Sequence, residues 1–553
     1  MSKSKPKSFV SNVLIILFAQ IIVKLLGMLY RMVITNIDGF GDAGNGYYSA
    51  GFQIYTLLLA LSSVGIPSAI SKLISERAAL RDYSGADKIF KTALLIFAFI
   101  GAVLSIVLFF SSASVARYIL NMDGAKYTLA ALSPSIFFVC VSSVFRGYFS
   151  GINKMQVMSL SQIIEQIFKS VLTVLFVLAA VGQDAKFMSA YANLATTAAT
   201  VFGTLYLAFA YKCKKEITPV TDKSALKTDF MPVAKKILML AVPISICSVI
   251  SAVNRIIDTA TITRGIETAF KLYIPAHIGA AAIINPDSAQ LNAEAVRLSG
   301  MLSKSDTLIN LPLALNIALA TALVPGIARC NAEKNMLMIR KYINSSLLAS
   351  VVLILPCAAG YIILAKPIYN LIYPNASLGF ELLQLSSISL IFTALNQTVT
   401  EALQGIGKVC VPAAALAVGC IAKLVLNIVL IRIPQINIYG AVIGSAVCQI
   451  IVFAINLYQL LKAASVKSDL KKLIAKPFVS CLILSAAAYL IYNSVLHTLK
   501  SNSVAVIVSV VLSALIYGIC IIGLKVFTQD ELLKIPGLGK LYMFFGKKHI
   551  RKC

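Results

Sequence analysis

Residues 308–328 read LINLPLALNIALATALVPGIA, twenty-one positions without a charged side chain. At 1.5 Å per residue a helix of that length covers about 30 Å, the thickness of a bilayer's hydrocarbon core, so the stretch reads as part of a membrane span. Working outward from it, comparable apolar stretches lie near 10–34, 47–71, 92–114, 129–149, 157–181, 187–210, 237–261, 305–328, 343–365, 382–403, 410–431, 438–461, 474–496 and 503–524. The whole chain of 553 residues is 59% hydrophobic and 13% charged, with a mean hydropathy of +0.86, more apolar surface than a set of soluble domains could bury. The expected fold class is an all-α polytopic membrane protein with about fourteen transmembrane helices.

Lys and Arg number 49 against 22 for Asp and Glu, a formal charge of +27. In a membrane chain such an excess is first a topology signal, not a nucleic-acid surface. Loops on the N-terminal side of the spans hold 34 of the basic residues, the opposite loops hold ten, and five fall within spans. Both termini are therefore expected in the cytoplasm of a multi-pass protein of the cell membrane. Lys3, Lys5 and Lys7 precede an apolar run that continues past Lys24 with no small-residue cleavage site, which reads as an uncleaved first span.

Absences narrow the chemistry. Three His (His277, His497, His549) stand in no ligand spacing, and eleven Cys form no C-x-x-C and mostly sit inside apolar runs. Neither a metal site, a cofactor nor a disulfide framework is expected. The longest loops are a basic linker at 211–236 and an opposite segment at 264–304, read as an interfacial connector with an amphipathic helix capped by Asp287. A membrane enzyme with a separate catalytic domain is disfavoured, and no nucleic-acid partner is expected.

The two halves resemble each other. Gly65-Ile66-Pro67-Ser68-Ala69-Ile70 at the end of span two is answered by Leu323-Val324-Pro325-Gly326-Ile327-Ala328 at the end of span eight. More closely, Gly151-Ile152-Asn153-Lys154 recurs as Gly405-Ile406-Gly407-Lys408, and at the same offset Lys169 falls on Lys423. Six spans separate the copies, the parallel type of transporter repeat, which predicts two six-helix lobes around a central cavity with spans thirteen and fourteen as an appended pair. The expected boundaries are 1–225, 226–465 and 466–553.

A charge at mid-bilayer costs about 2.5–3.5 kcal/mol, so charged residues inside spans are expected to be paired or turned to a wet interior. Lys24 and Arg31 lie seven residues apart on one face of span one, with Gln20 and Gly27. Ser248, Ser251 and Arg255 make a similar stripe on span seven. Lys24, Arg31, Arg255, Lys423 and Lys169 are the candidate substrate-binding residues. The blander readings are that Arg31 reaches the membrane surface, that Arg255 pairs with Asp258 three residues on, and that Lys169 pairs with Glu165 four residues before it. Lys423 has Gly419 at that position and no local partner. Glu165 is either a structural partner or an ion-coupling carboxylate. Glu401, near a span end, needs no special role, and with 22 Tyr and no Trp the tyrosines read mainly as interfacial anchors.

With GIPSAISKLISE at 65–76, FRGYFSGINKM at 145–155, LSQIIEQIFK at 160–169 and LINLPLALNIALATALVPGIA at 308–328 in this order, the chain resembles the multidrug/oligosaccharidyl-lipid/polysaccharide exporter superfamily, in the branch of stage V sporulation protein B and the Gram-positive lipid II flippases. The resemblance covers nearly the whole chain. It implies a V-shaped pair of lobes that alternates access, a cationic cavity for a lipid-linked pyrophosphate, and a groove near the last two spans for the polyprenyl tail. Related flippases carry an R-x-L-G-x-x-R-D-like pattern in span one. Here Lys24 matches its first basic position, Tyr30 stands at the second with Arg31 displaced by one, and the basic position of span two falls near Leu58.

The leading functional expectation is an undecaprenyl-pyrophosphate-linked precursor flippase, without enzymatic activity, with the bilayer and cell-wall synthesis proteins as partners. A cation-coupled multidrug exporter, using a monovalent ion and Glu165, is one alternative. A non-transporting sporulation or division scaffold is another.

Overall fold

The computed structural model describes residues 9–63, 65–80, 82–213, 230–271, 273–274, 283–464, 475–524 and 526. Lys3, Lys5, Lys7, most of the 211–236 linker, His277, His549 and the basic C-terminal tail lie outside the described residues. Every one of the fourteen apolar stretches falls on helix, because only a helix or a closed barrel satisfies backbone N–H and C=O groups where there is no water. The helices are α1 (Phe9–Thr35), α2 (Gly41–Ser63), α3 (Gly65–Ala79), α4 (Tyr83–Ser114), α5 (Ala125–Gly151), α6 (Met155–Ala179), α7 (Ala185–Cys213), α8 (Phe230–Ala269), α9 (Ser288–Ala332), α10 (Met336–Ile372), α11 (Phe380–Gly405), α12 (Cys410–Leu430), α13 (Tyr439–Ala464), α14 (Lys476–Leu499) and α15 (Asn502–Gly523). Among the described residues twelve helical segments are long and apolar enough to cross a membrane, and α1 and α8 stand at the first and seventh expected spans.

One expectation needs correction. Among the described residues the 264–304 segment carries no separate connector helix. Asp287 does cap a helix, its Oδ1 accepting from the Gln290 backbone N–H (2.7 Å) while Gln290 Oε1 accepts from the Asp287 N–H (3.0 Å). That helix is α9 itself, 45 residues without a break, so span eight extends beyond the bilayer thickness. A two-residue antiparallel pairing, Tyr273–Ile274 with Ile283–Ile284, precedes it.

The chain gathers into two compact units. One comprises Met1–Ala314, Ile372–Leu382 and Pro412–Val452. In it α5 packs on α4, α7, α2 and α3, and α6 lies between α1 and α7. Its core centres on Phe90, stacked on Tyr211 at 4.7 Å and set against Phe145 at 5.3 Å. Thr197 of α7 bonds across helices to the Ala131 carbonyl of α5 at 2.6 Å, and within α5 Ser133 takes up the Ala130 carbonyl (2.8 Å) that Pro134 cannot reach.

The other unit comprises Leu315–Leu371, Leu383–Val411 and Phe453–Cys553. There α14 and α15 pack on each other and on α10, the appended pair expected from the repeat. Pro356 leaves the Val352 carbonyl without its helical donor, and the Tyr517 hydroxyl of α15 fills it at 3.0 Å. A second break in α10 falls at Leu364 (φ −102°, ψ 16°), before Pro367, and there the Gln384 amide donates to the Ile362 carbonyl at 2.7 Å.

The repeat is visible as one local structure made twice. The Lys154 N–H reaches the Phe149 carbonyl (2.8 Å) and the Asn153 N–H the Ser150 carbonyl (3.0 Å), while Lys408 bonds Leu403 (2.9 Å) and Gly407 bonds Gln404 (2.9 Å). Asn153 and Gly407 both take positive φ, 58° and 92°. These are paired helix stops of the Schellman kind, so the shared G-I-x-K pattern is a cap. Its leading Gly has a packing role as well. A Cβ on Gly151 would lie 2.9 Å from the Ile74 side chain and 3.0 Å from the Ser71 carbonyl, and one on Gly405 3.0 Å from Ile327. Gly151→Val is therefore expected to lower stability by about 1–3 kcal/mol through overpacking. Gly518→Ala, with open space around it, is expected to leave the thermal unfolding midpoint in detergent unchanged. Equal midpoints for the two variants would refute the close-packed reading.

Candidate functional site

All five intramembrane cations lie in the first unit, together with charged groups of α8 and α9. Apolar residues of α1 and α6 face lipid or core, which leaves a polar seam between these helices: Gln20 donates to Gln162 at 3.2 Å, and Gly27 lies beside Gln166. Lys24 and Arg31 follow from the same helix at heptad spacing. Lys24 is exposed and forms no ion pair among the described residues, and the positive charges of Arg255 and Lys169 act on it.

Arg31 does not reach for the membrane surface. Its Nη1 donates to Thr307 Oγ1 on α9 at 2.8 Å, its guanidinium stands over the Tyr48 ring at 4.9 Å, and its Nε is buried without a partner. The Thr307 hydroxyl spends its proton on the Ser303 carbonyl (2.8 Å), which turns its lone pairs toward Arg31. Arg31 thus keeps an unused donor inside the protein.

Lys169 is buried, but not with Glu165. Its ammonium lies 4.4 Å above the Phe52 ring and 5.7 Å from the Tyr30 ring centre, in an aromatic corner where the Tyr30 and Tyr48 hydroxyls bond each other at 2.9 Å. Glu165 is taken by Arg146 of α5 at 2.6 Å, across helices, with Arg146 Nε also directed at Ser161 (3.4 Å). A forked guanidinium held on a neighbouring helix outcompetes the ammonium four residues along the same one. A charge-swapped Arg146→Glu/Glu165→Arg protein is therefore expected to keep more folded protein in detergent-solubilised membranes than either single substitution. The same swap between Glu165 and Lys169 is expected to rescue nothing. Size-exclusion profiles of the tagged variants report both, and rescue by the Lys169 swap would restore the intrahelical pairing.

Lys423 and Arg255 exchange the roles expected of them. Asp258 does not pair with Arg255. It accepts from Lys423 Nζ at 2.6 Å and from Asn427 Nδ2 at 3.0 Å, and the Lys423 ammonium also bonds the Asn254 carbonyl at 3.0 Å. Lys423 is thereby a buried clamp of α12 on α8, with a partner that local spacing could not reveal. Arg255, released from Asp258, is exposed and without an ion pair among the described residues. The stripe on α8 does carry it beside exposed Ser251.

Three groups escaped the sequence reading. Asp306, one residue before Thr307 on α9, is exposed, and the charges that act on it are Asp258, Lys423, Arg31 and Arg255. It sat at the edge of an apolar stretch, where an acid draws no notice. The aromatic corner is the second: Tyr48 and Phe52 stack at 6.0 Å, and their i, i+4 spacing was the available signal. Third, Lys304 was counted among loop cations. It is 1% exposed, pairs with Asp42 at 2.5 Å and bonds the Leu378 carbonyl at 3.0 Å.

After Lys423 cancels Asp258 and Arg146 cancels Glu165, the cluster retains Lys24, Arg31, Lys169 and Arg255 against the one carboxylate of Asp306. An interior with unpaired cations of this kind attracts a multivalent anion. The membrane-spanning helices and the family matches place the chain among the transporters of the multidrug/oligosaccharidyl-lipid/polysaccharide exporter superfamily.

The chain belongs to the polysaccharide biosynthesis protein family, which matches residues 9–331, and the MatE family matches residues 299–429. Relatives in Bacillus subtilis (strain 168) include the uncharacterized membrane protein YabM, 28% identical over 97% of this chain and 96% of its own length. Lipid II flippase MurJ is 26% identical over 84% of each chain, and stage V sporulation protein B 23% identical over 97% and 99%. Among solved structures, lipid II flippase MurJ in an inward closed conformation superimposes with a TM-score of 0.65 at 15% identity, covering 92% of this chain and 98% of that one. An inward-facing multidrug resistance MATE family transporter matches with the same score and identity, covering 82% and 100%.

Proposed function

We propose that this protein is an alternating-access flippase that moves an undecaprenyl-pyrophosphate-linked cell-wall precursor of the lipid II type to the outer leaflet. The observation that carries the reading is the pair of open cations, Lys24 and Arg255, drawn from two helices into one electrostatic cluster with Arg31. A pyrophosphate carries two negative charges within a few ångströms, and a guanidinium meets phosphate oxygens with forked donors. The relative named lipid II flippase supports the choice of substrate class. In this reading residues 1–225 and 226–465 are the two halves that alternate, 466–553 are appended, and both termini lie in the cytoplasm.

A cation-coupled exporter is the second reading, favoured by the open carboxylate of Asp306 and the MATE neighbours. Glu165 no longer serves that reading, since Arg146 neutralises it. Complementation of a cell depleted of its lipid II flippases, followed by labelling of precursor at the outer surface, separates the two. Failure with normal membrane expression would remove the flippase.

A further inference from the structure

Arg31 is tied to both halves of the chain. Its guanidinium lies over the Tyr48 ring of α2 at 4.9 Å, while its Nη1 donates to Thr307 Oγ1 of α9 at 2.8 Å. The Thr307 bond is one of several ties that run from α1 and α2 to α9 and the 372–382 segment, all within one compact unit. Lys304, three residues before Thr307, pairs with Asp42 at 2.5 Å. Asn36 Nδ2 donates to the Ile372 carbonyl and Asn375 Nδ2 to the Asn36 carbonyl, both at 2.8 Å. Between these ties α2 and α9 touch backbone to backbone: a Cβ on Gly300 would fall on the Asp42 carbonyl oxygen, and one on Gly46 on the Val296 carbonyl oxygen. The contacts gather at the α1–α2 and α10–α11 turns, the end that faces outward in the proposed orientation, and form a seal there. Of the residues in this seal, Arg31 is also a candidate substrate ligand, and its Nε is buried without a partner.

We propose that Arg31 is shared between the substrate and the outer seal, so that a pyrophosphate closing on its guanidinium takes it from Thr307 and loosens that end. This inference rests on the flippase reading and deepens it, because it names the bond through which the load is felt. A ligand shifts a conformational equilibrium only by its differential affinity for the two states. A phosphate oxygen is a charged acceptor and outcompetes a neutral hydroxyl for the Nη1 donor. In the sealed state the pyrophosphate must displace Thr307 to gain that donor. Once α9 has withdrawn there is nothing to displace, so the open state binds the substrate tighter by the strength of one bond. Tyr48 lies in the same half as Arg31 and keeps hold of the guanidinium when the Thr307 bond is broken. Thr307 is suited to yield, since it donates its proton to the Ser303 carbonyl at 2.8 Å and stays bonded within α9 after Arg31 leaves.

The test uses the full chain in lipid nanodiscs with undecaprenyl pyrophosphate as the probe. Spin labels are placed through Asp38→Cys and Leu378→Cys, exposed positions on the two sides of the seal, in a background cleared of reactive native Cys. The probe is expected to raise the population with the longer label distance about five- to tenfold in the protein with Thr307 intact. Thr307→Val removes the acceptor, so that population is expected to be raised before the probe is added and to change less than about twofold afterwards. Thr307→Ala is a second such substitution should the first fold poorly, and Thr307→Ser, which keeps the hydroxyl, is expected to respond as Thr307 does. Gly300→Ala is expected to lengthen the distance with or without the probe, and an unchanged distance there would overturn the seal. Binding of the probe is measured in parallel. If the probe binds and Arg255→Ala weakens it, yet Thr307→Val responds like the protein with Thr307 intact, the shared Arg31 is overturned and the flippase reading stands. If the probe does not bind at all, the pyrophosphate site falls, and this inference with it.

Discussion

Arg255→Ala and Lys24→Ala are each expected to reduce outward movement of the precursor by about 10- to 100-fold, the loss of one charge-assisted phosphate contact of about 1.5–3 kcal/mol, with the protein still present in the membrane at its usual level. The separation of activity from folding follows from the geometry. Both side chains are exposed and neither forms an ion pair among the described residues, so truncation strands no buried partner. Removing Lys24 even relieves repulsion, since the charges of Arg255 and Lys169 act on it. Outer-surface labelling of precursor at low expression measures the effect. Full complementation by both variants would show that the cationic cluster is not the transport site.

Lys423→Ala is expected to fail in the opposite way. Lys423 is 2% exposed and its ammonium is bonded to Asp258 at 2.6 Å and to the Asn254 carbonyl at 3.0 Å, so its removal leaves a carboxylate in a low-dielectric interior with only Asn427 against it. Breaking one side of a buried pair costs about 3–5 kcal/mol, a large part of a marginal stability. Little folded Lys423→Ala protein is expected in the membrane, and a lower unfolding midpoint for what remains. The double substitution Lys423→Met/Asp258→Leu removes both charges and is expected to recover folded protein. Arg255→Ala, by contrast, is expected to leave the midpoint near that of the unmodified protein. A fully stable Lys423→Ala with reduced transport would return Lys423 to the set of substrate ligands.

Lys169 and Lys423 show why the site was only partly legible. They occupy the same place in the repeat, and both are buried, so the repeat located them correctly. Their environments differ because the side chains facing each one differ. Lys423 meets a carboxylate of α8, while Lys169 meets the rings of Phe52 and Tyr30. Buried ammonium groups are satisfied by either arrangement, and the energies are close enough that composition does not choose.

Features completed by neighbours along one helix were largely legible before the fold was known. Apolar runs of bilayer length set the helices, the acid at 287 with Gln290 set the start of α9, and G-I-x-K set two helix ends, because caps and spans are completed within a few residues. Heptad spacing likewise placed Lys24 and Arg31 on one face. Which charges meet was settled by packing between helices. Each nearby candidate pair, Glu165 with Lys169 and Asp258 with Arg255, was displaced by a partner from another helix, Arg146 and Lys423. An i, i+3 or i, i+4 pair contributes a few tenths of a kcal/mol in water, too little to hold a side chain when a buried interhelical group has no other way to be neutralised. The cations left open, Lys24 and Arg255, and the carboxylate of Asp306 among them are what remains after that competition, and no local rule could have predicted its outcome.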